Sequence, residues 1–205
     1  MSFAFHKTDI PGVYLITPKV YTDDRGCFKE TYVRPEFVKQ GIDENFVQNN
    51  QSWSQAGVFR GMHIQVSPYA QSKLIDVVRG RVLDVVVDVR PKSPAFKKVQ
   101  VFELADMKPD MLYIPTGCLH GFLALCDNTV FNYQVGAFYN IESAYTVNWL
   151  DPTLNIKPRL SKRLAQMHFD KTILDNVILS EQDKNAMTFA TFMTKCKPKL
   201  RHEYQ

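Results

Sequence analysis

The stretch RVLDVVVDVR, residues 81–90, indicates the fold class of this chain. Every odd position from 83 to 89 is leucine or valine, and Asp84, Val86 and Asp88 occupy the positions between them. A repeat of two residues places alternate side chains on opposite faces of a β-strand. The stretch therefore predicts a strand whose leucine and valine face lies in the core.

Runs of similar length and composition follow one another along most of the chain. They are VYLITP, CFKETYV, NFVQNNQSW, GVFRGMHIQ, SKLIDVV, KVQVFEL, MLYIP, HGFLAL and TVFNYQV. Gly, Pro, Asp and Asn separate them, as in DDRG, RPKSP, PTG and CDN. Short strands at this spacing predict an all-β sandwich or barrel.

Helical patterns are short and lie outside this series. RPEFVKQG, residues 34–41, has Pro near its start and Gly at its end, which suits one or two turns. LSEQDKNAMTF, residues 179–189, offers Ser180 as an N-cap followed by acidic residues. With 205 residues, 45% of them hydrophobic, the chain predicts a single domain, residues 1–205, with short peripheral helices.

The charge and cysteine content narrow the class of partner. The formal net charge of +4 suits a small anionic ligand but is far below the footprint of a nucleic-acid-binding protein. The sequence shows no signal peptide and no apolar run of membrane-spanning length, so no membrane partner is expected. The four cysteines form no CxxC pair, which favours a reduced, cytoplasmic protein.

Four polar side chains stand inside strand-like apolar runs: His63, Lys73, His120 and Tyr133, with Arg60 close to the first. The sequence has no Gly-rich phosphate loop and no GxSxG motif. Taken singly, each has a structural explanation: a hydrogen-bonded histidine, a lysine extending from a strand end, or a core tyrosine with its hydroxyl at the edge. Taken together, they can converge inside a barrel, which is where small barrels hold ligands.

The run GVFRGMHIQ, residues 57–65, contains a geometrical conflict. Arg60 and His63 are three positions apart, and side chains at that spacing on a regular strand face opposite sides. A bulge or kink that turns both toward one ligand is easiest at Gly61. Either the alternation breaks at Gly61, or Arg60 lies at the rim of the site.

Longer motifs resemble those of one known family. Residues 46–94, from FVQNN to RPKSP, resemble the central block of the dTDP-4-dehydrorhamnose 3,5-epimerases and related deoxysugar epimerases. The similarity continues through YIPTGCLHGFLAL, NTVFNYQV and NWLDPTLNI, with DDRGCFKETY upstream and LSEQD downstream. It extends from about residue 10 to residue 183.

The resemblance implies a cupin-type jelly roll, also called a double-stranded β-helix. Its core would span about residues 10–150, and helices of the C-terminal segment, residues 151–205, would pack on the barrel. A homodimer, no cofactor and a nucleotide-linked 4-keto-6-deoxy sugar as substrate are also implied. Metal-binding cupins use His-x-His with further ligands, and here that position reads His63-Ile64-Gln65, so no metal is expected.

The resemblance also implies a mechanism, in which a proton beside the C4 ketone is removed and one is returned to the opposite face. His63 is the implied base, and Asp183 is the carboxylate that orients it. Lys73 would stabilise the enolate with its positive charge. Tyr133 would donate the proton from the other face.

The implied substrate-binding residues are distributed along the nucleotide sugar. Arg25 and Arg60 would bind the diphosphate through their guanidinium groups, with Arg25 reaching over from the dimer partner. The other implied contacts are Gln48 and Asn50 to the sugar or phosphates, His120 beside the enolate, and Phe28, Glu30 and the stacking platform Tyr139 at the nucleobase.

Five positions depart from the family pattern. They are Gln51 in place of His, Ala144 in place of Glu, Gln182 in place of Lys or Arg, Lys157 in place of Trp before Pro158, and Leu119 in place of Ala. None is the implied base, acid or enolate stabiliser, so the departures leave open the nucleotide, the sugar and the number of carbons inverted. Epimerisation at one carbon, a cofactor-free 3,4-ketoisomerase and a non-catalytic sugar-nucleotide binder are the alternatives. The complete acid–base set argues against the last of them.

Overall fold

Two antiparallel sheets face each other in the computed structural model, which describes residues 2–200. The strands are β1 (Phe3–Lys7), β2 (Tyr14–Pro18), β3 (Val20–Asp23), β4 (Gly26–Lys29), β5 (Gln48–Ser54), β6 (Phe59–Gln65), β7 (Lys73–Arg79), β8 (Arg81–Asp88), β9 (Val99–Ala105), β10 (Met111–Ile114), β11 (Cys118–Ala124), β12 (Thr129–Val135) and β13 (Ala144–Thr146). One sheet has the order β1-β2-β10-β7-β12-β5, and the other has the order β13-β6-β11-β8-β9. The predicted all-β jelly roll is confirmed.

The helices are short and lie outside the barrel. They are α1 (Arg34–Val38), α2 (Ile156–Gln166), α3 (Glu181–Lys184) and α4 (Phe189–Cys196), with a 3-10 turn at Lys171–Leu174. The predicted turns at 34–41 and after Ser180 are confirmed as α1 and α3. None of the helices within residues 2–200 is long and apolar enough to cross a membrane. Residues 201–205 of the expected C-terminal segment lie outside the described residues.

Strand β8, which forms residues 81–88 of the stretch RVLDVVVDVR, is buried on both faces. Val82 and Val86 pack between the two sheets with Ile75 and Phe131. The opposite face belongs to a second apolar cluster, which includes the following residues of β8, the turn after β13 and the C-terminal segment: Leu83, Val85, Val87, Trp149, Leu160, Leu164 and Phe192. The C-terminal helices therefore cover the outer face of this sheet, which explains why both faces of the strand contain valine.

Three strands had no clear pattern in the sequence: β1, β3 and β13. Strands β1 and β13 each form one edge of a sheet, and β3 pairs only with β4 in a separate hairpin. An edge strand pairs on one side only, so its sequence needs less of the apolar alternation that marks a central strand. The predicted strand CFKETYV, residues 27–33, is shorter in the structure, where it ends at Lys29. The chain then turns into α1, which begins at Arg34.

The alternation of β6 does break at Gly61. On the neighbouring strand β11, His120 pairs with His63 and Phe122 pairs with Arg60. The two paired residues are three positions apart on β6 but only two positions apart on β11. This extra residue is a β-bulge, and it places both Arg60 and His63 on the wall of one cavity. The first of the two alternatives left open by the sequence is therefore correct.

Glycine is required at the bulge because two backbones meet there. Gly61 has φ +129°, and an added Cβ would lie 2.7 Å from Gly121 Cα and 2.8 Å from the His120 carbonyl oxygen. We expect Gly61→Ala to lower the free energy of unfolding by about 3 kcal/mol, the upper end of the range for backbone strain. Urea unfolding measures this loss.

A matched control separates the crowding from the backbone angle. Gly41 also has a positive φ, +82°, but an added Cβ there would meet nothing within 4 Å. Gly41→Ala should therefore cost only about 1 kcal/mol. Equal losses for the two variants would show that the contact between β6 and β11 is not the cause.

Candidate active site

A cleft with two lobes lies along the inner face of the barrel. The larger lobe has a volume of about 580 Å³ and the smaller about 330 Å³. Four residues line both lobes: His63, Lys73, Tyr133 and Gln182. The first three are predicted catalytic residues. The fourth predicted catalytic residue, Asp183, lines the larger lobe. The fold therefore brings the predicted acid–base set together in one place.

His63 and Asp183 form a hydrogen-bonded dyad. His63 Nε2 lies 2.7 Å from Asp183 Oδ1. The histidine side chain is 42% exposed, whereas the carboxylate is only 3% exposed. Because an ionised carboxylate can only accept, Nε2 carries the hydrogen and Nδ1 keeps the lone pair of a base. The exposed ring is thus the member that can meet a substrate, and the buried carboxylate orients it.

The carboxylate is held by the start of helix α3. Asp183 N donates to Ser180 Oγ at 3.1 Å, and Ser180 Oγ donates to Asp183 Oδ2 at 2.9 Å. The first of these contacts is one half of a capping box, but here the N3 carboxylate accepts from the N-cap hydroxyl and not from the N-cap backbone N–H. Just before the helix, Phe59 N donates to the Ile178 carbonyl oxygen at 3.0 Å. The segment that carries Asp183 is therefore attached to β6, the strand that carries His63.

Lys73 lies at the base of the cleft, next to a second histidine–carboxylate pair. Lys73 Nζ is 3.4 Å from His120 Nδ1, and His120 Nε2 is 2.8 Å from Asp84 Oδ2. All three side chains are buried. Burial lowers the pKa of Lys73 to about 8, although the negative charge of Asp84 opposes this. Burial also lowers the pKa of His120, so its ring is neutral at pH 7.

The resemblance places His120 beside the enolate, and in the structure both of its ring nitrogens have protein partners. The reason is its register on β11, opposite His63 and next to Val86 of β8, which places it beneath the lysine. His120 borders the larger lobe, and its polar contacts are with Lys73 and Asp84.

Tyr133 faces the dyad from the opposite sheet. It lies on β12 of the six-stranded sheet, as Lys73 lies on β7, whereas His63 lies on β6 of the five-stranded sheet. Burial raises the pKa of the Tyr133 phenol, and the positive charge of Arg60 and a hydrogen bond with Asn50 lower it. The phenol therefore remains protonated at neutral pH, as a proton donor must.

The titration of Lys73 predicts an alkaline limit to activity. Because its pKa is lowered to about 8, the ammonium is present below that pH and is lost as the pH rises through it. If the charged form stabilises the enolate, kcat/KM should fall above about pH 8, before Tyr133 loses its proton. Steady-state rates between pH 6 and pH 10 measure this limb. In Lys73→Arg the side chain stays charged, so the residual kcat/KM should not fall above about pH 8. The same decrease in this variant as in the wild type would contradict the assignment of Lys73.

Four predicted binding residues also border the cleft. Gln48, Asn50 and Tyr139 line the smaller lobe, and Arg60 lines the larger one. Gln48 donates to Asn50 Oδ1 at 2.7 Å and accepts from Tyr139 N at 3.2 Å. Arg60 is held by Ser54 Oγ and the Trp53 carbonyl oxygen. The smaller lobe is thus lined mainly by amides and aromatic rings.

The remaining three predicted binding residues lie away from the cleft of their own chain. Arg25 and Phe28 are on the β3–β4 hairpin, and Glu30 follows it. The Arg25 side chain is 90% exposed and is paired with Asp23. Together with Phe28 it lines a separate groove of about 420 Å³, which shares no lining residue with either lobe. A single chain therefore does not bring the hairpin residues to the site.

Gln65, at the position of the second metal-binding histidine of other cupins, has a structural role here. Its amide nitrogen donates to the carbonyl oxygens of Tyr69 and Phe138, and its Oε1 accepts from Asn140 N. These contacts join two loops at the mouth of the smaller lobe. Among residues 2–200, no group of three or more His, Cys, Asp or Glu is arranged to hold a metal ion.

Sequence reasoning missed three polar residues of the site. Asp84 shares the inner face of β8 with Val86, so its inward position was visible although its partner was not. Ser180 was identified as an N-cap, but its bond to the Asp183 carboxylate was not. Gln182 was noted only as a departure from the family pattern, and its hydrogen bond to Thr146 Oγ1 at 2.8 Å and its place at both lobes were not predicted.

The fold and the site together define a class of protein. A jelly-roll cleft that places a histidine–carboxylate dyad opposite a buried lysine and a phenol is suited to moving protons beside a carbonyl group. The class is that of isomerases that act by acid–base chemistry.

Comparison with known proteins identifies the family. A family profile described as dTDP-4-dehydrorhamnose 3,5-epimerase matches residues 7–191. The dTDP-4-dehydrorhamnose 3,5-epimerase of Methanothermobacter thermautotrophicus is 38% identical over 183 residues, which are 89% of this chain and 92% of that protein. The chain belongs to the dTDP-4-dehydrorhamnose 3,5-epimerase family.

Two solved structures are similar over nearly the whole chain. The dTDP-6-deoxy-D-glucose-3,5-epimerase of Legionella pneumophila Philadelphia 1, in complex with dTDP-4-keto-L-rhamnose, has a TM-score of 0.83 at 33% identity and covers 99% of each chain. A 3'-monoepimerase from Streptomyces bikiniensis, in complex with dTDP-quinovose, has a TM-score of 0.80 at 30% identity and covers 93% of this chain and 90% of its own. The similar structures thus include enzymes that differ in the number of carbons they invert.

Proposed function

We propose that this protein epimerises a nucleotide-linked 4-keto-6-deoxyhexose, of the dTDP-4-keto-6-deoxyglucose type, at C3 and C5 in deoxysugar biosynthesis. The observation that carries the proposal is the placement of the His63–Asp183 dyad and the Tyr133 phenol on facing sheets. Inversion requires a base on one face of the sugar ring and an acid on the other. The cleft offers both, and Lys73 lines it with them.

The reaction follows from this arrangement. His63 Nδ1 accepts the proton from a carbon beside the C4 ketone, the electron pair of that C–H bond forms a carbon–carbon double bond to C4, and the π electron pair of the ketone moves to its oxygen. The Lys73 ammonium stabilises the resulting enolate oxygen. Tyr133 then donates its proton to the carbon from the opposite face, which inverts the carbon and regenerates the ketone.

The second inversion needs the acid and base to be reset. After the first inversion His63 holds an extra proton and Tyr133 has lost one. The His63 side chain is 42% exposed, so its proton can pass to water, and water can reprotonate the phenolate. The same pair can then act at the carbon on the other side of the ketone. Hydrogen from solvent is therefore incorporated at each inverted carbon.

The smaller lobe suits the nucleotide. Gln48 and Asn50 offer amide groups for the sugar or phosphates, and Tyr139 is 61% exposed at its edge, as a stacking platform for a nucleobase must be. Arg60, at the larger lobe, offers a guanidinium to a phosphate. We propose a cytoplasmic location, which agrees with the four free cysteines among the described residues.

Epimerisation at C3 alone is a second candidate. The similarity to the Streptomyces bikiniensis 3'-monoepimerase favours it, because that structure matches this chain nearly as well as the Legionella enzyme does. Ala144 and Gln182, two positions that depart from the usual family pattern, both border the smaller lobe. Neither residue is the proposed base, acid or enolate stabiliser, so the number of inverted carbons can differ while the chemistry is the same.

A homodimer is proposed, with the β3–β4 hairpin reaching the partner's site. The hairpin carries Arg25 and the 64% exposed Phe28, and neither contacts the cleft of its own chain. Strand β5 forms an open sheet edge next to the cleft and exposes Trp53 by 64%. An open edge with exposed aromatic side chains is suited to pairing with a second subunit.

Mixing two defective variants tests whether the β3–β4 hairpin of one subunit completes the site of the other. Arg25→Ala alone should lower kcat/KM by about 10- to 100-fold, the value of one charge-assisted contact, and His63→Ala alone should be inactive. After the two are mixed through partial denaturation, about one quarter of the wild-type activity should return, because half of the dimers then hold one complete site. No return, although mass measurements show mixed dimers, would contradict the cross-subunit role of Arg25.

Product analysis tests the function itself. The protein is incubated with dTDP-4-keto-6-deoxyglucose in ordinary water, and the ring coupling constants are followed by proton NMR. Inversion at C3 and C5 is expected to change both sets of couplings. The same sugar on UDP, GDP or CDP reports the nucleobase preference. Unchanged spectra with all four substrates would contradict the proposed function, and a shifted carbonyl position would indicate a ketoisomerase instead.

A further inference from the structure

Asp84 is a buried carboxylate for which the mechanism above has no role. It is completely buried on the inner face of β8. Its Oδ2 contacts His120 Nε2 at 2.8 Å, and its Oδ1 has no hydrogen-bond partner within the described part of the chain. Burying a charge without full compensation costs several kcal/mol in proteins. A carboxylate placed so unfavourably for stability points to a functional reason.

A second aspartate on the same face of the same strand shows the contrast. Asp88 is also completely buried, but both of its oxygens contact the Arg90 guanidinium, at 2.9 and 2.7 Å. Ser93 Oγ also donates to it. Asp88 is thus a compensated structural charge. Asp84 instead contacts His120, whose other ring nitrogen contacts Lys73, a cation of the cleft.

The contacts fix the orientation of the ring between them. Since an ionised carboxylate only accepts hydrogen bonds, the hydrogen of the neutral His120 ring is on Nε2. His120 Nδ1 therefore presents a lone pair to Lys73 Nζ, and the ammonium donates one of its three hydrogens to it. Without Asp84, the other tautomer would place an N–H against the ammonium, donor against donor.

The charges around Lys73 come from several strands. Against the effect of burial, Asp84 on β8 and Cys118 on β11 raise the pKa of Lys73, and His120 on β11 contacts its Nζ. Arg60 and His63 on β6, Tyr133 on β12 and Asp183 on α3 line the same lobe. At neutral pH His120 is uncharged and the Tyr133 phenol keeps its proton, because burial lowers the pKa of the first and raises that of the second. Of the two carboxylates, Asp84 is the one whose negative charge opposes the loss of the lysine proton.

We propose that Asp84 is a positioning residue for the reaction, acting on the Lys73 ammonium through the His120 ring. It sets the tautomer of His120, aims the ammonium into the cleft and keeps it charged at neutral pH. The catalytic consequence rests on the proposed function, in which Lys73 faces the enolate oxygen. The effect on the protonation of Lys73 does not depend on any substrate.

The test therefore measures Lys73 directly. Acetic anhydride modifies neutral amines, and mass spectrometry of the Lys73 peptide gives the rate constant of modification at each pH. At pH 6, Asp84→Asn should increase this rate constant about tenfold, because loss of a nearby opposite charge favours the neutral amine. The pH at which the modification rate constant is half-maximal should fall by about one unit, because a tenfold larger fraction of neutral amine corresponds to a pKa that is lower by that amount. In a kinetic assay, the alkaline limb of kcat/KM should move to lower pH in the same variant.

Asp88→Asn is the matched control, since it removes a carboxylate from the same strand and face. It should lower the thermal stability and leave the pH dependence of Lys73 modification as in the wild type. A uniform increase at every pH in Asp84→Asn would indicate changed access to Lys73 and overturn the proposal, as would an unchanged profile. If the profile shifts but no substrate is turned over by the wild type, the proposed function fails and the assignment of Asp84 stands.

Discussion

His63→Ala is expected to lower the rate of epimerisation by about 10³- to 10⁴-fold and to leave the fold intact. General acid–base catalysis by one side chain contributes up to about 10⁴-fold in enzymes. The dyad holds Nδ1 as a base at the meeting point of both lobes, where no other exposed imidazole lies among the described residues that line the cleft. Without it, neither C3 nor C5 can lose its proton at a useful rate. NMR of the sugar in D2O measures both losses separately.

The fold of this variant should be close to that of the wild type. The His63 side chain is 42% exposed, so its truncation leaves no large cavity in the core. His6→Ala, at an exposed position on β1, is the matched control and should have wild-type activity. Turnover within tenfold of the wild type in His63→Ala would remove His63 from the role of base.

Tyr133→Phe is expected to separate proton loss from inversion. The variant keeps His63 and Lys73, so a proton beside the ketone can still leave, and His63 can return one to the same face. Completed inversion should fall by about 10²- to 10³-fold, because the acid on the opposite face is missing. In D2O the starting sugar should therefore gain deuterium faster than the inverted product forms.

Tyr113→Phe provides the comparison for Tyr133→Phe. Tyr113 is a buried phenol that donates to Glu44 Oε1 at 3.0 Å, and it borders neither lobe of the cleft. Its loss should affect stability and leave the ratio of exchange to inversion unchanged. An equal decrease of exchange and inversion in Tyr133→Phe would mean that the phenol is not the proton donor.

The barrel was predictable from the sequence because its central strands are strongly patterned. Strand β8 has leucine or valine at every odd position from 83 to 87, and the central strands of both sheets are short, apolar and separated by turn residues. Helix α2 was missed although Ile156, Leu160 and Leu164 recur at every fourth position. Pro158 within its first turn conceals its start, and the left-handed conformation of Asn155, which makes no side-chain cap, is visible only in the structure.

The site was predictable in its members but only partly in its geometry. Family motifs named the dyad, the lysine and the phenol, and the three-residue spacing of Arg60 and His63 correctly pointed to Gly61 as the position of a bulge. The pairing of Asp84 with His120 depends on the register between β8 and β11, which no local pattern reveals. Long-range register is set by the packing of whole sheets, so contacts of this kind became visible only in the structure.

Hydrogen exchange at the carbons beside the ketone tests the central claim most directly. The protein is incubated in D2O with dTDP-4-keto-6-deoxyglucose, and NMR reports deuterium at each carbon of the sugar. The His63–Asp183 dyad and the facing Tyr133 predict deuterium at both C3 and C5, with inversion at each. Deuterium at C3 alone would restrict the activity to that carbon. No deuterium at either carbon, with the wild-type protein folded, would contradict the assignment of this cleft as an epimerase site.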